Sequence, residues 1–206
     1  PDVAPGDITS EQMELVAQLA DDYSLGEIRS THDQNLVLAQ VQQKDLFAVW
    51  QALRPAGMAT PNVGSVLDMI CCPGLDYCAL ANASAISIAK DINDALDDID
   101  YVHDLGEIQL KMSGCMNGCG HHSVGHIGIL GVDKKGEEWY QITLGGSPSN
   151  DAAIGERLGP AVAKANVATA IKNILDEYVH VRAPEERFVD CVRRVGVEGF
   201  AKRVYG

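Results

Sequence analysis

The sequence predicts an α+β protein in two parts, and three observations carry that prediction. Apolar residues recur at helical spacing early in the chain, at Met13, Val16, Leu19, Ala20 and Tyr23, and late in it, at Val167, Ile171, Ile174, Leu175 and Tyr178. Residues 107–112 alternate instead, with Ile108, Leu110 and Met112 on one face and Gln109 and Lys111 on the other, as a strand does. Four cysteines, Cys72, Cys78, Cys115 and Cys119, fall in two tight loops rich in glycine and proline, separated by a helix and a strand.

Composition narrows the function. The chain has 206 residues, 22% of them charged, enough for one sizeable core or for a small domain beside a larger one. A formal net charge of −13 argues against nucleic acid, whose phosphates need clustered Lys and Arg. A small anionic substrate needs only a local basic pocket. No apolar run is long enough to span a bilayer, and no secretory signal is legible, so neither a membrane nor export is expected. Six cysteines in such a chain favour a reducing compartment, the cytoplasm, where they bind metal or do redox work. The first residue is Pro1, which suggests processing or excision from a longer polypeptide.

Taken in order, residues 1–8 read as a linker. Thr9 and Gln12 form a capping-box signal for the first helix, which Gly26 ends. Residues 28–31 and 35–41 read as short strands. A second amphipathic helix carries Leu46, Phe47, Val49, Trp50 and Leu53 and stops at Pro55 and Gly57. Helix, two strands and helix make a small half-domain over residues 1–62. The second domain, 63–206, opens on an apolar stretch at 66–70 that runs into the first cysteine loop. Residues 83–96 predict a helix, with Ile86, Ala89, Ile92 and Leu96 facing a core. Residues 124–132 and 139–144 predict strands joined by the turn Asp133-Lys134-Lys135-Gly136. Gly145-Gly146-Ser147 closes that unit. The tail continues as helix through Phe188, Val189, Val192 and Val195, with Arg193, Arg194, Lys202 and Arg203 on its surface.

The cysteine spacing is Cys-x5-Cys, a gap of 36 residues, then Cys-x3-Cys. Structural zinc sites favour knuckles with two or four residues between the cysteines, which these spacings fit poorly. An iron–sulfur cubane needs four thiolates and tolerates varied spacing. Pro73-Gly74 and Gly118/Gly120 keep the backbone open, so that amides can point at sulfur. On spacing alone an iron–sulfur cluster, zinc and unligated thiols all stay open. Cys71 adjoins Cys72 and reads as packing, and Cys191 as a buried structural thiol.

The motif Cys72-Pro-Gly-Leu-Asp-Tyr-Cys78 with Gly-Cys115-Met-Asn-Gly-Cys119-Gly resembles the siroheme and [4Fe-4S] signature of the nitrite/sulfite reductase family. Residues 28–36, Ile-Arg-Ser-Thr-His-Asp-Gln-Asn-Leu, resemble the ferredoxin-like half-domain that precedes it. The tail, with Glu186-Arg187-Phe188, Arg193-Arg194-Val195-Gly196 and Lys202-Arg203-Val204-Tyr205, is similar to the C-terminal end of bacterial sulfite reductase hemoproteins. The resemblance implies a ferredoxin-like half-domain followed by a siroheme/[4Fe-4S] domain with a mixed sheet and C-terminal helices. It implies that Cys72, Cys78, Cys115 and Cys119 ligate a [4Fe-4S] cluster, their sulfurs converging on one site, and that the Cys119 thiolate bridges the cluster to siroheme iron. The implied activity is the six-electron reduction of sulfite to sulfide in sulfate assimilation, with a ferredoxin or flavoprotein reductase as donor. Reduction of nitrite to ammonia on the same cofactors is the alternative. A non-catalytic zinc- or cluster-binding module is the alternative from another class.

Family members usually join two such halves, and the first supplies arginines and lysines that clamp substrate. Here the corresponding loop reads Thr31-His32-Asp33-Gln34, with an acid where a clamp arginine is expected, and no Lys-x-Lys pair precedes the second cysteine loop. The chain therefore reads as the C-terminal half of a longer enzyme, inactive alone. A compact single-half reductase is the other reading. No catalytic residue is assigned. Arg29 reads either as a contact to a siroheme carboxylate or as a solvated strand residue. Gln34 and Asn35 read as cofactor contacts or as residues of a turn, Lys111 as a pocket or a surface lysine, and Asn117 as a left-handed turn residue or a cofactor contact. His121, His122 and His126 read as structural residues or as groups at the cofactor edge. The basic tail is a docking face for an acidic donor or a solvated helix face.

Overall fold

The computed structural model describes residues 6–206, and the chain divides into two units, Pro1–Pro61 and Asn62–Gly206. Most of the linker expected over residues 1–8 lies outside the described residues. Helix α1, Ser10–Tyr23, starts at the predicted box: the Gln12 amide donates to the Thr9 hydroxyl at 3.2 Å, and the Thr9 amide to Gln12 Oε1 at 2.8 Å. It buries Val16, Leu19 and Ala20 but leaves Met13 exposed. Strands β1, Ile28–Ser30, and β2, Leu36–Leu38, pair antiparallel with Arg29 opposite Val37. They are shorter than the sequence suggests, because Thr31 and Asn35 are drawn into the turn between them. The Thr31 hydroxyl accepts from the amides of Asp33 and Asn35, and Gln34 takes a positive φ of 59°. Helix α2, Leu46–Leu53, runs into one tight turn at Arg54–Ala56 and stops at Gly57, where φ is 70°.

In the second unit β3, Ile70–Cys71, leads into the one-turn helix α3, Gly74–Tyr77, then α4, Ile86–Asp94, and α5, Ile99–Asp104. Strands β4, Leu110–Ser113, β5, Ile127–Lys134, β6, Glu137–Leu144, β7, Glu156–Arg157, and β8, Val162–Ala163, follow. The chain closes with α6, Val167–Val181, α7, Phe188–Val195, and α8, Glu198–Tyr205. The sheet order is β3-β4-β5-β6-β7, with β8 also on β6; the β3/β4 and β4/β5 pairs are parallel and the rest antiparallel. This is the expected mixed sheet with C-terminal helices.

The β5–β6 hairpin turns on Lys135 and Gly136, whose φ values are 58° and 84°, and Lys134 faces Glu137 across it. Two successive positive φ angles match the right-handed twist of the strands, and glycine takes the second at no steric cost. Helix α6 packs Ala170, Ile171, Ile174, Leu175 and Tyr178 into the core shared with Ile127, Ile129, Tyr140, Ile142 and Leu144. Phe188 closes one end, 5.2 Å from the Tyr178 ring and 6.2 Å from that of Phe200. Cys191 is fully buried there, as expected, and burial pushes its thiol up to about 11.

In the second unit α4, β4 and α5 also depart from the sequence reading. Helix α4 begins at Ile86 and not near 83, because the preceding residues are spent on tertiary hydrogen bonds. Strand β4 begins at Leu110, and all four of its residues are buried, so the expected polar face does not exist. It lies between two parallel neighbours, and such strands are covered on both faces. Helix α5, absent from the reading, is started by the Asp98 side chain, which accepts from the amides of Asp100 and Tyr101. Among the described residues no helix is long and apolar enough to cross a membrane.

Candidate metal centre

The two cysteine loops leave the same end of two neighbouring parallel strands. Cys71 lies opposite Met112 in the β3/β4 register, and the Cys72 amide adds one more ladder bond to the Met112 carbonyl at 3.1 Å. Beyond it the first loop makes the single turn of α3, and the Cys78 amide closes that turn on the Gly74 carbonyl at 2.7 Å. The second loop leaves β4 through Gly114 and Cys115. A Cβ on Gly114 would lie 2.7 Å from Gly74 Cα and 2.6 Å from the Ala83 carbonyl, so the loops touch backbone to backbone. Gly120 folds back over β4: its amide donates to the Ser113 hydroxyl, and a Cβ there would meet the Met112 carbonyl at 1.8 Å.

The thiols differ in exposure. Cys72 and Cys115 are buried, Cys78 is half-buried, Cys119 is exposed, and all are free. The Gly114 amide of the second loop donates to Cys72 Sγ at 3.0 Å. An amide aimed at sulfur offsets the charge of a metal-bound thiolate. Among the described residues no three His, Cys, Asp or Glu side chains form a group that could hold a metal ion. The expected convergence of the four sulfurs on one site is therefore not met at the spacing of a single ion. A cubane takes one thiolate at each iron and spreads its ligands more widely. Leu75, Tyr77, Leu80 and Met116 stand exposed on the same loops.

Residues 82–86 hold the first loop in place. The amides of Asn82 and Ala83 both donate to the Gly114 carbonyl, at 2.9 and 3.0 Å, and the Ala83 carbonyl accepts from Leu75. The Ser84 amide donates to Glu138 Oε2 at 2.6 Å, and its carbonyl accepts from the Tyr140 hydroxyl at 3.0 Å. Asp76 Oδ2 accepts from the amides of Ala85 and Ile86, at 2.9 and 3.1 Å. Burial opposes the charge on Glu138, but the Lys164 ammonium at 2.7 Å, the Ser84 amide and the Tyr140 hydroxyl outweigh it and hold its pKa down to about 2. Burial, then the Glu138 charge, pushes the Tyr140 phenol far up.

The other predicted residues fall into place unevenly. Lys111, on β4 just ahead of the second loop, is 4% exposed and so is not a surface lysine. Asn117 is exposed and is not left-handed; Gly118 and His121 take the positive φ angles, 70° and 56°. His126 Nδ1 accepts from the Gln109 amide at 3.2 Å, a structural role, and burial lowers its pKa. His122 is also buried and its pKa lowered by burial; its Nδ1 has no hydrogen-bond partner among the described residues and would lie 4.0 Å from a Cβ on Gly118. Arg29, Gln34 and Asn35 lie on the hairpin of the first unit. Arg29 is exposed and ion-paired with Glu27, while Gln34 and Asn35 shape the turn. In the tail, Arg187, Arg193 and Arg194 pair with Asp190, Asp151 and Glu186, so those arginines are a neutralised face and not a free basic patch. Sequence reading missed Asp76, Ser84, Glu138 and Tyr140. Asp76 lay inside the cysteine motif, but its partners come nine and ten residues later.

Residues 63–206 match the family model described as "Nitrite and sulphite reductase 4Fe-4S domain", and residues 2–56 the "Nitrite/Sulfite reductase ferredoxin-like half domain". The chain is 30% identical to the sulfite reductase [NADPH] hemoprotein beta-component of Bacillus licheniformis, over 84% of this chain and 30% of the relative. It is 29% identical to the ferredoxin–nitrite reductase of Synechococcus elongatus, over 85% of this chain and 35% of the relative. The chain thus spans about a third of the length of these relatives. Its fold is similar to that of Mycobacterium tuberculosis NirA, with a TM-score of 0.76 and 26% identity, over 90% of this chain and 36% of that one. A dissimilatory sulfite reductase, DsrI, shares the fold at a TM-score of 0.79 and 14% identity, over 98% of this chain and 67% of that one.

Proposed function

We propose, since this chain belongs to the nitrite and sulphite reductase family, that it is the cluster-bearing C-terminal half of a sulfite reductase hemoprotein. The activity is the six-electron reduction of sulfite to sulfide, in sulfate assimilation. The observation that carries the reading is the meeting of two cysteine loops at the ends of neighbouring parallel strands, Gly74 against Gly114. In this reading Cys72, Cys78, Cys115 and Cys119 would hold the [4Fe-4S] cluster, and Cys119, the exposed thiol, would be the ligand nearest the siroheme. When bound, cluster and siroheme would pass on the donor's electrons and provide the iron at which the oxyanion is reduced.

The residues present fit these groups. The Gly114 amide already serves one thiol. The exposed Leu75, Tyr77, Leu80 and Met116 offer apolar surface to a large flat macrocycle. Lys111, buried ahead of the second loop, is assigned to the pocket. Asn117, exposed on the second loop, is assigned to the siroheme periphery. The proposed N-terminal half with its basic clamp has room in the relatives' remaining length, since the chain covers 30% of the sulfite reductase relative. A ferredoxin or flavoprotein reductase in the cytoplasm is the electron donor.

Nitrite is the second reading, favoured by near-equal identity to a nitrite reductase. The test is turnover by the product of the intact gene with reduced viologen as donor. A higher kcat/KM for sulfide from sulfite than for ammonia from nitrite is expected. The reverse order assigns nitrite, and reduction of neither overturns the reading.

A further inference from the structure

The hydrogen bonds of residues 82–86 reach both cysteine loops and the sheet at once. Through Asn82 and Ala83 this segment holds the Gly114 carbonyl beside Cys115, and through Ala83 it holds Leu75 inside the first loop. Through Ala85 and Ile86 it holds Asp76, two residues before Cys78. Glu138 and Tyr140, on β6, clamp Ser84 from the other side, and Lys164 reaches both Glu138 and the Ser84 hydroxyl. Gly74 also bridges Ser84. The first loop therefore touches the sheet through a segment that itself grips the second loop.

From this geometry we infer that Asp76, Glu138 and Tyr140 are positioning residues: they fix the spacing between the Cys72/Cys78 pair and the Cys115/Cys119 pair, and so the fit of the loops to a cluster. The inference rests on the proposed ligand role of those cysteines. Asp76 acts inside the loop, where one carboxylate oxygen takes two backbone amides at the start of α4. An asparagine oxygen can keep both bonds, while alanine leaves the two amides without an acceptor. Glu138 and Tyr140 act from outside, on the opposite edge of the same segment. Groups that orient metal ligands without touching the metal alter its retention by about tenfold or more when removed.

The test is retention of a cluster assembled on the full chain anaerobically with ferrous iron and sulfide. Wild type, Asp76→Asn, Asp76→Ala and Tyr140→Phe are compared by the half-life of the visible absorption under a chelator and by the electron paramagnetic resonance of the reduced cluster. Thr9→Ala, which removes a cap in the first unit, serves as a destabilised control. The expected result is that Asp76→Ala and Tyr140→Phe shorten the half-life about tenfold and shift the resonance, while Asp76→Asn and Thr9→Ala match wild type. Tyr140→Phe deletes a single hydroxyl, so the test stands even where Asp76→Ala does not fold. Wild-type retention and spectrum in both loop variants, whatever their melting temperatures, overturn the inference. A wild-type chain that takes up iron without sulfide, or neither, overturns the ligand reading and the inference with it.

Discussion

Glycine is required at Gly114 for contact, not for conformation. A methyl group there would press on Gly74 Cα at 2.7 Å and on the Ala83 carbonyl at 2.6 Å, all backbone that cannot swing aside. Gly136 is the contrast: its φ is 84°, but nothing lies within 4 Å of a Cβ. Gly114→Ala should therefore cost about 1–3 kcal/mol through forced backbone movement, against about 1 kcal/mol for Gly136→Ala through conformational strain alone. Urea unfolding of the two variants checks the order, and equal costs would show that the loops can separate freely. That the cysteines fall in two tight loops was legible from sequence because each loop is local, while their spacing alone left cluster, zinc and free thiols open. Lys111 was not, because alternation along β4 says which residues share a face but not whether that face meets water. Asn117 gave the wrong turn residue, since Gly118 beside it takes the positive φ more cheaply.

Among the elements, β6 fastens the loop segment to the sheet, and Glu138 is its charged contact. Its pKa falls from the ordinary 4.5 to about 2 in the fold. A carboxylate lowered on folding adds stability that is complete above its unfolded pKa and is lost as pH falls through its folded one. The stability gap between wild type and Glu138→Gln should therefore hold constant above about pH 5 and close between there and about pH 2. Denaturant midpoints across that range measure it, and a gap that stays constant down to the lower limit would contradict the pairing. The sequence showed the strand and the hairpin turn because both are periodic or local. It missed the segment ahead of α4, where apolar spacing continues past the true helix start. Residues 82–85 take their bonds from Gly114, Glu138, Tyr140 and Asp76, and no local pattern announces partners that distant. The capping box at Thr9 and Gln12 was legible because both partners lie within one turn.

Over the whole molecule, a net charge of −13 and acids paired with Arg187, Arg193 and Arg194 in the tail leave little that would attract polyanions. The two units correspond to the two family segments, and each carries its own elements. In the second unit, the parallel strands β3 and β4 release both cysteine loops at one end of the sheet. The central claim is that those loops hold a cubane. Iron and acid-labile sulfide, measured on the full chain purified without oxygen, test it most directly. The account predicts about four iron and four sulfide per chain, lost together when Cys72, Cys78 or Cys115 is changed to alanine. One zinc per chain and no sulfide would contradict it.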